Sequence, residues 1–267
     1  MASGGASPAP SVYGDGPLST PLHGLSKLNP NNALKSSNDE NTALLESTNG
    51  SPKIKICVFC GSSPGKSPAH MEAARSLAKV FHENDISLVY GGGTVGLMGE
   101  VARSLVALSG PTSVHGVIPA PLVKYERGPD STIANDPSFL PDYNTYGKTT
   151  VVKDMHTRKQ MMAQEVLAGA EGSGFVALSG GYGTLEELME VVTWNQLGIH
   201  NRGVVVYNVE GYWDGLLDWV RGSVAAGFVG EGTKGIIKEA RTSVECVTAL
   251  KEYKVAEGRF KLQWGNE

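Results

Sequence analysis

Two stretches of this sequence set glycines where an anion could sit: YGGGTVGLMG at 90–99 and LSGGYGTLEE at 178–187. Each follows an apolar, strand-like run and opens what reads as a helix. Glycine lets backbone N–H groups approach an anion closely, and a helix start adds the positive end of its dipole. Two such loops in one domain suggest a phosphorylated ligand, although a tight strand-to-helix turn also needs glycine for its own sake. Gly91, Gly93 and Gly96 match G-x-G-x-x-G, yet the next strand, SVHGVIP, offers no acidic residue for a dinucleotide ribose. Neither loop ends in G-K-[ST], which argues against a P-loop nucleotidase. A mononucleotide fits better.

Thr184 and Glu187 read in two ways. T-x-x-E at a helix start is a capping box, Thr capping and Glu reaching back. Glu186 and Glu187 also suit a positive helix end. Two carboxylates beside an anion cradle are nevertheless unfavourable unless positive charge develops there during a reaction. In DMHTRK (154–159), Met155, Arg158, Lys159 and, one turn on, Met162 share a helical face, with His156 turned aside; an Asp154–Arg158 pair at i, i+4 is the plainer alternative. Other constellations fail. Cys57 and Cys60 lie on a strand, where residues three apart face opposite ways, so a redox or zinc pair is not expected. Ser179 invites comparison with a nucleophile elbow. However, Ala177 stands where that motif needs glycine, and His200 is the only histidine downstream.

The elements that must position these residues alternate in type. KIKICVFC, ISLVYGGG, SVHGVIP, GFVAL, RGVVVYNV and a short run near Ile236 read as strands. Helical patterns lie between and after them: AHMEAARSLAKVF, GLMGEVARSLVAL, KDMHTRKQMMAQEVLAGA, TLEELMEVVTWNQL, GYWDGLLDWVRGSVAAG and SVECVTALKEYK. Near-continuous apolar strands alternating with helices predict an α/β fold. That fold is a Rossmann-like, doubly wound parallel sheet with helices on both faces, in a single domain. Residues 120–150 read as one long irregular connection. Residues 1–52, rich in Ser, Pro, Asn and Gly, are expected to be a disordered tail, 53–256 the folded domain and 257–267 a short C-terminal tail.

Composition bounds the rest. The 267 residues carry a net charge of −4, with 40% hydrophobic and 19% charged residues, which gives no bulk attraction to nucleic acid or an anionic membrane. No apolar run is long enough to span a bilayer. The start lacks the basic and apolar regions of a signal peptide, and three cysteines build no disulfide framework. A cytoplasmic protein is expected.

CVFCGSSPG, VYGGGTVGLMG, DMHTRK, SGGYGTLEE and TWNQLGIH occur in the order and context of the LONELY GUY (LOG) proteins, and the chain resembles that family from about Ile54 to Tyr253. The resemblance implies a Rossmann-like homodimer that hydrolyses the N-glycosidic bond of a nucleoside 5′-monophosphate. The products would be a free base, such as an N6-substituted adenine (a cytokinin), and ribose 5-phosphate. It implies no metal or organic cofactor. The family pattern P-G-G-x-G-T-x-x-E falls on Ser179 to Glu187, with Ser179 in the proline position. That makes Gly180, Gly181, Gly183 and Thr184 the phosphate loop. The catalytic arginine and glutamate match Arg158 and Glu187, and the base-side glutamate matches Glu126. Met155, Lys159, Tyr182, Glu186, Ser62, Gly92 and Gly93 complete the expected substrate contacts. Relatives of this fold also suggest two alternatives: a non-catalytic nucleotide or molybdenum-cofactor carrier, and a general purine-nucleotide nucleosidase. The lysine decarboxylase label often given to related sequences finds no support, since no lysine sits in a recognisable pyridoxal-phosphate context.

Overall fold

In a computed structural model, residues 52–123, 140–262 and 264 are described. The expected tail, apart from Pro52, and Glu126 lie outside these residues. Seven strands form one parallel sheet in the order β4-β3-β2-β1-β5-β6-β7. They are β1 (Lys55–Phe59), β2 (Ser87–Tyr90), β3 (Val114–Pro119), β4 (Lys148–Val152), β5 (Gly174–Ala177), β6 (Gly203–Tyr207) and β7 (Ile237–Ala240). The chain builds outward from β1 to β4, returns to place β5 against the other side of β1, and builds outward again. β1 and β5 therefore flank the point where strand order reverses, and α/β sheets bind ligands beyond the strand ends there.

The two faces of the sheet have separate cores because strand side chains alternate. Ile56 and Val58 of β1 pack with α1 (Pro68–Glu83), α2 (Gly96–Ser109) and α8 (Ser243–Lys251), through Leu77, Phe81, Leu105 and Val247. Cys57 and Phe59 face the other way, toward α5 (Met155–Leu167) and α6 (Tyr182–Gln196), through Met162, Val166, Leu188 and Val191. Phe59 and Phe175 stack there at 5.9 Å, at an angle of 11°. This is the doubly wound parallel sheet that the sequence pattern predicts. The cysteines behave as read: Cys57 and Cys60 are buried in different cores, both free, and burial pushes both thiols well above their ordinary pKa.

Three expectations need correction. The 120–150 connection contains regular structure: α3 (Ala120–Val123), α4 (Tyr143–Tyr146) and the beginning of β4. KTTVV does not read as a strand because it sits at the sheet edge and only Val152 is fully buried, so it lacks the continuous apolar signature of the central strands. The capping box is also absent. α6 begins three residues earlier than its T-x-x-E suggests, with Gly181 rather than Thr184 as N-cap, so Thr184 lies inside the first turn. Finally, Asp154 is the N-cap of α5: its side chain accepts from the Thr157 N–H at 2.7 Å and does not pair with Arg158.

Candidate active site

Three loops meet where the strand order reverses. Gly61, just past β1, donates its N–H to the Ser179 carbonyl at 2.9 Å, and its own carbonyl accepts from Leu97 N–H at 3.1 Å. Gly96, at φ 57°, lies so close to Ser62 that a Cβ would fall 2.3 Å from that residue's carbonyl carbon. A Cβ on Gly180 would meet Thr184 Oγ1 at 2.0 Å, so the loop folds back tightly on its own helix. At Gly181 and Gly183 a Cβ would meet nothing within 4 Å. No crowding within the protein calls for glycine at those two positions, whereas close approach of a ligand to the backbone would. The N–H groups of the first turn of α6 have no carbonyl partners within the helix, which suits them to bind an anion.

Beside this loop, the start of α5 delivers Arg158 and the second turn of α6 delivers Glu187. Arg158 Nη1 stands 2.9 Å from Glu187 Oε1, with both side chains about nine-tenths buried. Arg158 is fixed from behind, its Nε donating to the Val117 carbonyl of β3 at 3.1 Å. Gly91 leaves room for the guanidinium: a Cβ there would lie 1.8 Å from Nη2. The contact with Glu187 is a charge contact rather than an aligned hydrogen bond, because Glu187 Oε1 is buried without a hydrogen-bond partner. Burial raises the Glu187 pKa above the usual carboxylate value; Arg158 opposes the shift and Glu186 adds to it. Among the described residues, this buried oxygen has the Arg158 charge beside it but accepts no aligned hydrogen bond.

Other expected residues take varied places. Ser62 is exposed after β1, Gly92 and Gly93 are buried after β2, and Met155 opens α5 with 40% exposure. Tyr182 is 95% exposed, while Thr184 is buried under the loop. Lys159 and Glu186 face each other: Lys159 Nζ lies 2.6 Å from Glu186 Oε1 and 3.1 Å from Glu190 Oε1, tying α5 to α6. Burial alone would lower the Lys159 pKa, but the two carboxylates outweigh it and the net shift is upward. A Schiff-base lysine needs the opposite shift. Behind Glu187, between these helices, a cavity of about 10 Å³ lined by Phe59, Lys159, Glu190 and Trp194 has room for no more than one water. That cavity is too small to admit a substrate.

Within TWNQLGIH, two polar residues are structural. The His200 Nε2–H donates to the Val191 carbonyl at 2.8 Å while Nδ1 accepts from Arg202 N–H, and burial lowers its pKa to about 4. Asn195 donates to the Arg202 carbonyl at 2.9 Å. Sequence reading missed Gly61, His70 and Tyr212. His70 Nδ1 lies 3.0 Å from Ser179 Oγ, and the Tyr212 hydroxyl donates to the Gly180 carbonyl. No spacing rule connects these positions, which only the fold brings together. Ser179 now has a histidine neighbour, but the serine is buried and the ring is braced by Tyr212, and among the described residues no carboxylate is bonded to that ring. It does not form a hydrolase triad. Among the described residues, no group of three or more His, Cys, Asp or Glu side chains could hold a metal ion.

Fold and site together define a doubly wound α/β protein with a glycine loop at its switch point and a buried carboxylate–guanidinium pair beside it. Residues 98–250 match the family described as "Possible lysine decarboxylase". The chain is 54% identical over 213 residues to a bifunctional cytokinin biosynthesis protein of Fusarium pseudograminearum, an alignment covering 80% of this chain and 43% of that protein. It is 44% identical over 199 residues to the cytokinin riboside 5′-monophosphate phosphoribohydrolase LOG7 of Arabidopsis thaliana (74% and 82% covered). Against LOG of Oryza sativa, identity is 40% over 213 residues (80% and 78%). Among solved structures, the molybdenum cofactor carrier protein of Chlamydomonas reinhardtii superposes with a TM-score of 0.51 at 18% identity, covering 75% of this chain and 97% of that one, a likeness of fold alone. The chain belongs to the LOG family.

Proposed function

We propose that the protein hydrolyses the N-glycosidic bond of a cytokinin riboside 5′-monophosphate, giving the free N6-substituted adenine and ribose 5-phosphate. The observation that carries this reading is the buried Arg158–Glu187 pair set against the glycine loop, in a chain whose relatives are named for this reaction. The loop Gly180–Thr184 binds the 5′-phosphate, which is not transformed; its binding energy holds the sugar against Glu187. As the C1′–N9 bond breaks, its electron pair leaves with the base, which takes up a proton. Positive charge then develops on the ribose, and the Glu187 carboxylate stabilises it. The same carboxylate orients the attacking water and accepts its proton as the new C1′–O bond forms, a contribution typically worth ~10²–10⁴-fold. Arg158, protonated throughout, keeps Glu187 ionised and in place and holds the ribose hydroxyls. Lys159 and Glu186 serve this site by bracing α5 against α6. Met155 and Tyr182 border the base; Glu126, expected on the base side, lies outside the described residues.

The protein acts as a homodimer in the cytoplasm; the exposed side chains of Met155, Tyr182 and Leu185 support the dimer. Among the described residues no helix is long and apolar enough to cross a membrane. The test is to incubate purified protein with AMP and with isopentenyladenosine 5′-monophosphate and separate the products by chromatography. Isopentenyladenine is the expected product. Adenine from AMP alone would make the protein a general nucleotide nucleosidase, and no base from either substrate would overturn the enzymatic reading.

A further inference from the structure

Two consecutive left-handed residues, Glu210 at φ 51° and Gly211 at φ 76°, lie between β6 and α7 (Asp214–Ala225). A glutamate is unfavourable in that conformation, and such strain persists only where the surroundings enforce it. The turn aims the next residue, Tyr212, at the glycine loop, where its hydroxyl donates to the Gly180 carbonyl. The ring is held edge-on between Trp213 at 5.1 Å and His70 at 5.8 Å, and His70 in turn holds the Ser179 hydroxyl.

A trans peptide is planar, so each carbonyl points opposite to the N–H that follows it. Gly61 N–H, bound to the Ser179 carbonyl, fixes the direction of Gly180 N–H. Tyr212, bound to the Gly180 carbonyl, fixes the direction of Gly181 N–H. Two successive amides of the loop are therefore oriented by groups outside it. Gly181 itself offers no packing that could do so.

We infer that Tyr212 is a positioning residue for phosphate binding: it orients the Gly181 N–H toward the 5′-phosphate, with His70 and Ser179 as its brace. The inference rests on reading this loop as the phosphate cradle. Tyr212→Phe keeps the ring and its edge contacts and removes only the hydrogen bond. With isopentenyladenosine 5′-monophosphate as substrate, the expected result is a rise in KM of about 3–10-fold, with kcat nearly unchanged. Inhibition by ribose 5-phosphate should weaken by the same factor, with the melting temperature retained. Ser179→Ala, which releases His70, should shift both constants in the same direction by less. A merely structural role would lower the melting temperature and kcat and leave ribose 5-phosphate inhibition unmoved. That outcome, or an unchanged KM and inhibition constant in Tyr212→Phe, overturns the inference. Calorimetric titration with ribose 5-phosphate separates it from the proposed activity. If the wild type releases no base, the activity fails, while weaker ribose 5-phosphate binding by Tyr212→Phe still supports the role of Tyr212.

Discussion

Glu187 is held between opposing influences: burial and Glu186 favour its protonated form, and Arg158 favours its ionised one. Base-assisted hydrolysis needs the ionised form, so kcat/KM should fall as pH drops through a value above the ordinary carboxylate range. Removing Arg158 deletes the main opposing influence. In Arg158→Gln, the acidic limb of whatever activity remains should move to higher pH, and a pH–rate profile reads this directly. An unmoved limb would mean that another group titrates. Glu187→Gln is the cleaner test of catalysis, because it removes the charge while keeping a polar side chain of the same size beside Arg158, whereas deleting the side chain would also leave a void there. The glutamine variant should remain folded by circular dichroism and lose at least ~10²-fold in hydrolysis. Gly91→Ala makes a complementary case. Its new methyl would occupy the space of the Arg158 guanidinium, so kcat/KM should fall sharply, and a Gly91→Ala variant with wild-type kcat/KM would contradict that explanation.

The elements could be read from sequence wherever burial on both faces left a continuous apolar run, as in β1, β5 and β6, and became illegible where that condition failed. Edge strand β4 is the example. The start of α6 was hidden for another reason: T-x-x-E looks like a cap, but the loop's tight return at Gly180 places the helix start three residues earlier. Arg158 and Glu187 were legible as motif residues. Their contact, and the dependence of Arg158 on Gly91 and the Val117 carbonyl, were not, because sheet order alone brings β2, β3 and α5 together. At the opposite ends of the strands, Glu165 of α5 joins β1 and β3 by pairing with Lys55 at 3.1 Å and with His115, which also bonds Thr150 of β4. Burial alone would raise the Glu165 pKa, but these partners lower it from 4.5 to about 2. A depressed carboxylate stabilises the fold fully above its unfolded value and loses that contribution as pH falls through the folded one. The window is therefore about pH 4.5 down to 2, and the contribution is at most roughly 3 kcal/mol. Melting temperature should decline through this window in the wild type and more gently in Glu165→Gln. Identical slopes would remove the cluster from the account of acid stability.

At the scale of the whole molecule, the question is what covers the outer side of the site. Tyr182, in the glycine loop, lies almost wholly in solvent, and Leu185 of α6 and Met155 of α5 are exposed as well. Tyrosine and methionine are enriched at protein interfaces, and fully burying side chains of this size stabilises by roughly 1.5–3 kcal/mol each. A second copy docked here would shield the loop and Glu187 from bulk water, which strengthens electrostatic stabilisation of the developing positive charge. Light scattering after size exclusion should give twice the chain mass, and Leu185→Asp should shift the protein toward monomer with a parallel loss of turnover. Leu185 is exposed and two residues along α6 from Glu187, so on the helix it projects to a different side from that carboxylate, and its charge acts on assembly before it acts on chemistry. If Leu185→Asp were monomeric and fully active, each protomer would carry a complete site; a monomeric, active wild type would dispense with the dimer altogether.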